Sequence, residues 1–327
     1  MASRWLHVHA GDASRAVLER SGLPGEHVVW AETLHEGPVR GTLPRPVWRE
    51  DRARFYASLG PAPPGQPPAD ALLARWDAGL ERHTEADEVI LWFEHDLFDQ
   101  LCLVHHLDLY AGRQLGTTAL SLVCIGEHPD VPGFRGLGEL SPDAMAALVE
   151  TRRRVTREQE GLARRAWRAL VAEDPGGLVD LARDDTGALP FLGAALLRFL
   201  EEYPSLANGL SRTERQVLDV LADGASSCGA LFAASQDREE SPFMGDLLFW
   251  AVLTRLAAGD HPLLVLGPGE RMAAREARLT SDGEAVRCGE RDAVALRGID
   301  LWRGGVHLEG RAGVWRWDAD VRSLVRR

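Results

Sequence analysis

The sequence predicts an α/β protein in which a parallel β-sheet is followed by a helical segment and then by a smaller α+β domain. Up to about residue 140, short apolar runs alternate with helical patterns, which is typical of parallel βαβ units. From residue 208 onward, three helical patterns precede two apolar runs, which is the order of a winged-helix domain. At 327 residues the chain is also long for one compact core, so two or three domains are expected.

We expect the first domain, residues 1–140, to be a Rossmann-like parallel sheet whose strands are joined by helices. The predicted strands are 5–10, 27–31, 88–93 and 119–125. The third strand, EVILWF, is almost entirely apolar, as expected for a strand that helices cover on both faces. The predicted helices are 13–21, 45–58, 69–83 and 97–111, and a Pro/Gly-rich loop is expected at 60–68.

Helix-capping motifs divide the rest of the chain. Residues 141–207 are expected to form a helical connector, because Ser141-Pro142 and the capping box Thr156-x-x-Gln159 both open helices. The predicted connector helices include 156–172 and 189–202. Residues 208–327 are expected to form a winged-helix-like domain, which the capping box Ser211-x-x-Glu214 opens. Its predicted helices are 212–222, 229–235 and 245–257, and its predicted hairpin joins the runs 262–266 and 277–286.

The basic residues of this chain exclude several classes of enzyme. All 37 are arginine, and the sequence contains no lysine. Pyridoxal-phosphate Schiff bases, P-loop ATP sites and protein kinases each depend on a lysine, so none of these is expected here. No G-x-G-x-x-G motif follows the first strand, so the dinucleotide-binding fingerprint is also missing.

Other features of the composition concern the location of the protein. No run of eighteen uncharged apolar residues occurs, so we expect no transmembrane helix and no membrane partner. The first residues lack the apolar core of a signal peptide. Four cysteines lie far apart and form no C-x-x-C pair, so neither a zinc ribbon nor a disulfide framework is expected. Together these observations favour the cytoplasm.

Each predicted strand of the first domain ends in a polar cluster. The clusters are His9, Gly11 and Asp12; Glu32, His35 and Glu36; Glu94, His95 and Asp96; and Gly126, Glu127 and His128. Because parallel strands end at one edge of the sheet, where ligands bind in open α/β folds, we predict one ligand-binding or catalytic crevice there. The candidate catalytic residues are Asp12, Glu36, Glu94, His95 and Asp96. We expect Asp12, Glu36, Glu94 and His95 to lie around one cavity.

The chemistry of this crevice stays open at the level of the sequence. Asp12 and Asp96 directly precede helices, so each is also a natural N-cap. Carboxylates with histidines can hold a divalent metal, act as an acid–base pair or hydrogen-bond a ribose. Asp99 and Gln100 add polar groups in the first turn of the next helix. No cofactor is therefore predicted, and a divalent metal is left open.

Three arginines, Arg45, Arg49 and Arg52, lie at helical spacing on one face of the second predicted helix. Arginine suits phosphate or carboxylate ligands. The favoured interpretation is nevertheless a solvated helix face, because Glu50 and Asp51 lie beside these arginines.

Several motifs resemble those of a known family. They are EHDLFDQL at 94–101, His9-x-Gly11-Asp12, LHEGP at 34–38, LSRTE at 210–214, PFMGD at 242–246 and WRWD at 315–318. With these motifs the chain resembles the bacterial family known as domain of unknown function 1835, and the resemblance covers most of the chain. It supports the boundary of the N-terminal domain and implies no activity and no catalytic residue.

The charge of the C-terminal domain argues against duplex DNA as its partner. The net charge of the chain is −12, and from Leu210 onward 16 arginines face 18 acidic residues. The third predicted helix, GDLLFWAVLTRLA, offers only Arg255 for contact with bases or phosphates. We therefore favour a protein-contact or structural module, with DNA binding as the alternative.

Three functions remain as hypotheses. The first is a hydrolase or group transferase that acts on a small polar or nucleotide-like substrate in the strand-end crevice. The second is a transcription regulator that senses a ligand with its α/β domain and acts through its winged helix. The third is an interaction protein whose polar site is vestigial.

Overall fold

The structure is a computed structural model that describes residues 4–41, 43–60, 65–113 and 115–327. It is a mixed α/β fold with one five-stranded, mostly parallel sheet, many helices and three small antiparallel sheets. Among the described residues, every helix is too short or too polar to span a lipid bilayer.

The five-stranded sheet forms the centre of the N-terminal part. Its strands are β1 (Trp5–His9), β2 (Glu26–Val29), β3 (Glu88–Glu94), β4 (Ala119–Ile125) and β5 (Arg153–Arg154). They are ordered β2-β1-β3-β4-β5, and only β5 runs antiparallel to its neighbour. The four predicted strands are confirmed to within two residues at each end. The chain leaves β1 toward β2 and returns to the other side of β1 with β3, so the direction of winding reverses between β1 and β3.

Helices cover both faces of this sheet, which explains why β3 is apolar on both sides. They are α1 (Asp12–Arg20), α2 (Arg45–Ser58), α3 (Ala69–Glu81) and α4 (Leu97–Ala111), followed by α5 (Pro142–Leu148), α6 (Arg157–Leu170), α7 (Gly176–Arg183) and α8 (Leu192–Leu200). Leu91 and Phe93 of β3 pack in the core that includes α4, whereas Ile90 and Trp92 pack with α1 and α5. Alternate residues of the strand therefore serve two separate cores.

The C-terminal part begins with α9 (Arg212–Ala222), α10 (Cys228–Gln236) and α11 (Asp246–Leu256), followed by an antiparallel pair, β6 (Leu264–Leu266) and β7 (Ala277–Leu279). The prediction of a strand over 277–286 is wrong in its second half. Thr280 caps a helix there, because its side chain accepts a hydrogen bond from the backbone N–H of Gly283. This helix is α12 (Ser281–Arg287).

The remaining elements attach the C-terminus to the rest of the molecule. They are α13 (Ala293–Arg297), β8 (Ile299–Arg303), β9 (Val306–Gly310), β10 (Trp315–Asp318) and β11 (Ser323–Arg326). The turn between β8 and β9 enters the N-terminal part: the Gly304 carbonyl accepts from Val39 N at 2.8 Å, and Gly305 N donates to the Leu170 carbonyl at 2.8 Å. A Cβ on Gly304 would lie 2.2 Å from the Leu170 oxygen, so only glycine fits this contact.

Candidate functional site

Three carboxyl groups meet where β3 ends, beside β1. One oxygen each of Glu94, Asp96 and Asp99 lies within 4.8 Å of the others. Asp96 is the N-cap of α4, since its side chain accepts from Asp99 N at 2.9 Å, and Asp99 accepts from Glu94 N at 3.0 Å. The turn between the strand and the helix therefore folds back on itself and holds the carboxylate cluster, which we define as Glu94, Asp96 and Asp99.

Among the described residues, the carboxylate cluster has no basic partner, although the chain is rich in arginine. Four other buried acids in the described residues each form an ion pair with arginine. The pairs are Glu32 with Arg52, Glu36 with Arg303, Asp51 with Arg40 and Arg54, and Glu202 with Arg198. Asp96 and Asp99 are 5% and 7% exposed, and within the described residues neither forms such a pair. A buried negative charge without compensation is strongly unfavourable, so this cluster must bind protons or a cation.

The pKa values of the carboxylate cluster reflect this lack of compensation. Burial, with the neighbouring Asp96, raises the pKa of Glu94 to about 8. Burial raises the pKa of Asp96 to about 7. Burial and the two neighbouring carboxyl groups raise the pKa of Asp99 well above its usual range. Near neutral pH the carboxylate cluster therefore retains protons unless a cation replaces them.

The surroundings of Glu94 are built to admit its carboxylate. Glu94 Oε1 accepts from Leu137 N at 2.6 Å. A Cβ on Gly136 would lie 2.5 Å from Glu94 Oε2, so a side chain at this position would displace the carboxylate from where it lies. His9 of β1 points to the same face of the sheet as Glu94 and is fully buried, and its Nε2 has no hydrogen-bond partner among the described residues. The carboxyl ends of β1 and β3 thus share a polar interior.

Asp99 is the member of the cluster that was not among the candidate catalytic residues. The signal that could have found it is its spacing. The N-cap residue and the third residue of a helix contact each other in capping boxes, so Asp96-x-x-Asp99 places two carboxyl groups side by side. Glu94 comes just before them, which adds the third.

His95 follows Glu94 but faces another environment. Its ring is half-buried and packs between Phe134 and Phe191, with centroids 6.2 and 5.9 Å away. Burial lowers its pKa. It lines a cavity of about 280 Å³ that also includes Arg198 and Glu239, on the side of the C-terminal part.

Asp12 and Glu36 have surroundings that differ from those of the carboxylate cluster. Asp12 is exposed and is the first residue of α1, where Gly11 and not Asp12 is the N-cap. It lines a cleft of about 1190 Å³ between α2 and α3. Glu36 is 6% exposed, and its Oε2 lies 2.9 Å from Nη1 of Arg303. This ion pair joins the loop after β2 to the end of β8.

The expectation that Asp12, Glu36, Glu94 and His95 lie around one cavity is therefore wrong. Asp12, Glu36 and His95 line three different cavities, and Glu94 binds the segment at Leu137. The three strands that precede these residues are parallel and end at one edge of the sheet, as predicted, but the side chains lie in different surroundings. Glu36 forms an ion pair with Arg303, and the ring of His95 packs between Phe134 and Phe191. Of the five candidate catalytic residues, the structure brings together Glu94 and Asp96 and adds Asp99.

The prediction of a solvated arginine face on α2 is also wrong. Arg52 is fully buried and donates to Glu32 Oε1 from Nε at 3.0 Å and from Nη2 at 2.6 Å. Arg45 and Arg49 form ion pairs with Asp77 of α3. All three arginines therefore form ion pairs with acidic side chains of the same chain.

Comparison with known proteins yields limited similarity. No family model matches the chain. The curated relatives include the serine/threonine-protein kinase PknI of Mycobacterium bovis and of two strains of Mycobacterium tuberculosis, each 30% identical over 202 residues. The match covers 59% of this chain but only 31% of each kinase. The chain thus spans less than a third of the length of these relatives.

Proposed function

We propose that this protein is an enzyme, a hydrolase or group transferase that acts on a small polar or nucleotide-like substrate at the carboxyl edge of the five-stranded sheet. The observation that supports this proposal most strongly is the carboxylate cluster without arginine partners. Its place between β1 and β3, where the winding reverses, is where ligands bind in open α/β sheets. We assign the N-terminal part to the Rossmann-like folds on the same grounds.

The carboxylate cluster fits a divalent cation that prefers oxygen ligands, such as Mg²⁺ or Mn²⁺. Three carboxyl oxygens within 4.8 Å of one another can ligate one ion. No cysteine or histidine atom belongs to the cluster, so zinc is the poorer match. When bound, such an ion would supply Lewis-acid stabilisation of negative charge on the substrate.

The residues of the chain have distinct roles in this proposal. Asp96 and Asp99 hold each other in place through the first turn of α4, so their carboxylates stay close without a basic residue. Glu94 is held in place because its Oε1 accepts a hydrogen bond from Leu137 N. We place His95 in a packing role, because its ring lies between two phenylalanines.

The experiment that tests this function is a turnover assay with and without Mg²⁺ or Mn²⁺. Nucleoside mono- and diphosphates and simple phosphate esters are the first substrates to try, with products resolved by NMR. We expect Asp99→Asn to reduce turnover at least 100-fold, as loss of a metal ligand does. Asp143→Asn is the matched control, since Asp143 is an exposed acid in the first turn of α5. Equal turnover in wild type and Asp99→Asn would refute the assignment.

Kinase activity is not part of this proposal. The relatives of M. bovis and M. tuberculosis carry the name of serine/threonine kinases. Protein kinases hold the ATP phosphates with a strand lysine, and this chain has no lysine. The similarity therefore supports a shared segment and not a shared reaction. Membership of the family known as domain of unknown function 1835 remains a proposal that rests on the motifs.

For the C-terminal part we propose a winged-helix-like module that contacts protein and does not read DNA. The order α9, α10, α11 and β6–β7 supports the winged-helix description. Leu247 of α11 lines the cleft that Asp12 borders, and Leu248 and Arg255 line a cavity of about 620 Å³ shared with Glu36. A helix that faces the N-terminal part is poorly placed to enter a major groove.

We also propose a cytoplasmic location, in keeping with four free cysteines.

A further inference from the structure

The cleft between α2 and α3 is lined by residues other than those of the carboxylate cluster. It measures about 1190 Å³ and opens beyond the carboxyl ends of β1 and β2. Small apolar side chains line its interior: Val29 and Ala31 from the chain at the end of β2, and Ala53 and Ala57 from α2. Trp76 of α3 adds an aromatic wall. This interior leaves room for a flat apolar ring against aromatic and aliphatic surface.

The rim of the same cleft carries both signs of charge. Arg54 projects from α2 and Arg75 from α3, the two helices that form its walls, and both arginines are exposed. Arg75 forms no ion pair within the described residues, whereas Arg54 pairs with Asp51. Asp12 and Asp70 complete the rim. Guanidinium groups bind phosphate, and carboxylates accept hydrogen bonds from ribose hydroxyls.

We propose that this cleft binds a mononucleotide, with the base over the apolar interior and the phosphate near Arg54 and Arg75. The inference rests on the proposed function, because the cleft opens at the same edge of the sheet as the carboxylate cluster, and it specifies the class of substrate. Asp12 and Asp70 accept the ribose hydroxyls. The combination of an apolar interior, two arginines and two acids matches the three parts of a nucleotide.

The test is calorimetric titration of the full chain with AMP in the presence of EDTA. Two parts of AMP, each called a half below, serve as comparison ligands: adenosine, which lacks the phosphate, and ribose 5-phosphate, which lacks the base. We expect AMP to bind at least about 10-fold more tightly than either half, because both the interior and the rim contribute. Equal affinity for AMP and either half would overturn the proposal, as would the absence of AMP binding at millimolar concentration.

Two variants locate the ligand. Ala57→Trp places a large side chain in the cleft from an exposed position of α2, and it is expected to abolish AMP binding with an unchanged circular dichroism spectrum. Arg75→Ala is expected to weaken AMP binding about 5- to 10-fold and to leave adenosine binding unchanged. Arg168→Ala is the matched control, since Arg168 is an exposed helical arginine of α6, and it should change nothing.

These outcomes separate the inference from the proposed function. AMP binding that Ala57→Trp and Arg75→Ala leave intact would place the nucleotide elsewhere and overturn the inference. The titration contains no divalent cation and measures no turnover. Failure of the turnover assay would therefore leave a nucleotide site in the cleft standing, and failure of AMP binding would leave the carboxylate cluster standing.

Discussion

At the scale of single residues, the buried acids of this chain fall into two groups. Glu32, Glu36 and Glu202 pair with arginine, whereas the members of the carboxylate cluster form no such pair in the described part of the chain. The sequence could predict the cluster because its three acids lie within six positions. It could not predict that Glu36 pairs with Arg303, because the partners are far apart in the chain and nothing local marks either. The first group stabilises the fold, and the second lacks such partners among the described residues, so it can bind a ligand.

The first prediction concerns Asp99→Asn. In the absence of divalent cations at pH 8, this change is expected to raise the free energy of unfolding by about 1 kcal/mol, because Asp99, whose pKa is raised by burial, must bind a proton on folding that the unfolded chain releases, and asparagine needs none. The asparagine oxygen can still accept from Glu94 N. Urea denaturation in EDTA measures the effect. A loss of stability of similar size would contradict this prediction, because it would show that the folded protein stabilises the charged form of Asp99.

The second prediction separates Glu36 from Asp12. Glu36→Ala is expected to lower the free energy of unfolding by about 3 kcal/mol, because it leaves the buried guanidinium of Arg303 without its closest carboxylate. Asp12→Ala, the control at an exposed helix start, should cost less than about 1 kcal/mol. Urea denaturation of both variants gives the comparison. Equal small effects would return Glu36 to the list of candidate catalytic residues.

At the scale of helices and strands, prediction worked where one local signal dominated. Apolar runs located the four parallel strands, and the capping boxes at Thr156 and Ser211 are confirmed at the starts of α6 and α9. The prediction of a strand failed in the second half of 277–286. Thr280 lies within this apolar run and caps the helix α12 that follows it. The short strands β8 to β11 were not predicted, because each has only four or five residues and none contains a long apolar run.

The third prediction concerns the turn between β8 and β9. Gly304→Ala is expected to cost at least about 2 kcal/mol more than Gly310→Ala, because the new Cβ would lie 2.2 Å from the Leu170 oxygen. Gly310 is the matched control: its φ is +95°, against +60° for Gly304, and no atom lies within 4 Å of its Cβ position. Thermal denaturation of both variants measures the difference. Equal costs would mean that the turn does not insert between the two parts.

At the scale of the whole molecule, the N- and C-terminal parts are joined through buried charge. Arg303 Nε donates to the Glu202 carbonyl at 3.0 Å while its Nη1 contacts Glu36. Arg198 donates to Glu202 Oε1 at 2.7 Å and to Thr213 Oγ1 at 2.9 Å. These contacts fasten α8, α9 and β8 to the loop after β2. Such a junction argues against a sensor domain and an effector domain that move independently.

The fourth prediction uses His35, which lies in this junction against Phe98 and Phe243. Burial lowers its pKa to about 3, and Glu202, Arg303, Arg52 and Arg198 are the charged groups around it. Below about pH 6.5 this histidine binds a proton in the unfolded chain but stays neutral in the folded protein. Its contribution to the free energy of unfolding is therefore fully present above pH 6.5 and is lost as the pH falls.

His35→Leu removes this proton-linked term and leaves the other titrating groups in place. From pH 7 to pH 5, wild type is therefore expected to lose about 2 kcal/mol relative to His35→Leu. Urea denaturation of both proteins at each pH gives the difference. A difference that stays constant between the two pH values would contradict the prediction, because it would show that His35 binds its proton as readily in the folded protein as in the unfolded chain.

The central claim is that the carboxylate cluster is a cation site, and Mn²⁺ binding to the full chain tests it most directly. Electron paramagnetic resonance counts free and bound Mn²⁺ without any substrate. We predict one bound Mn²⁺ per wild-type chain, at least a 10-fold weaker affinity in Asp99→Asn, and unchanged binding in Asp143→Asn. Stoichiometric binding that survives both Asp99→Asn and Glu94→Gln, or no binding by wild type at millimolar Mn²⁺, would contradict the claim.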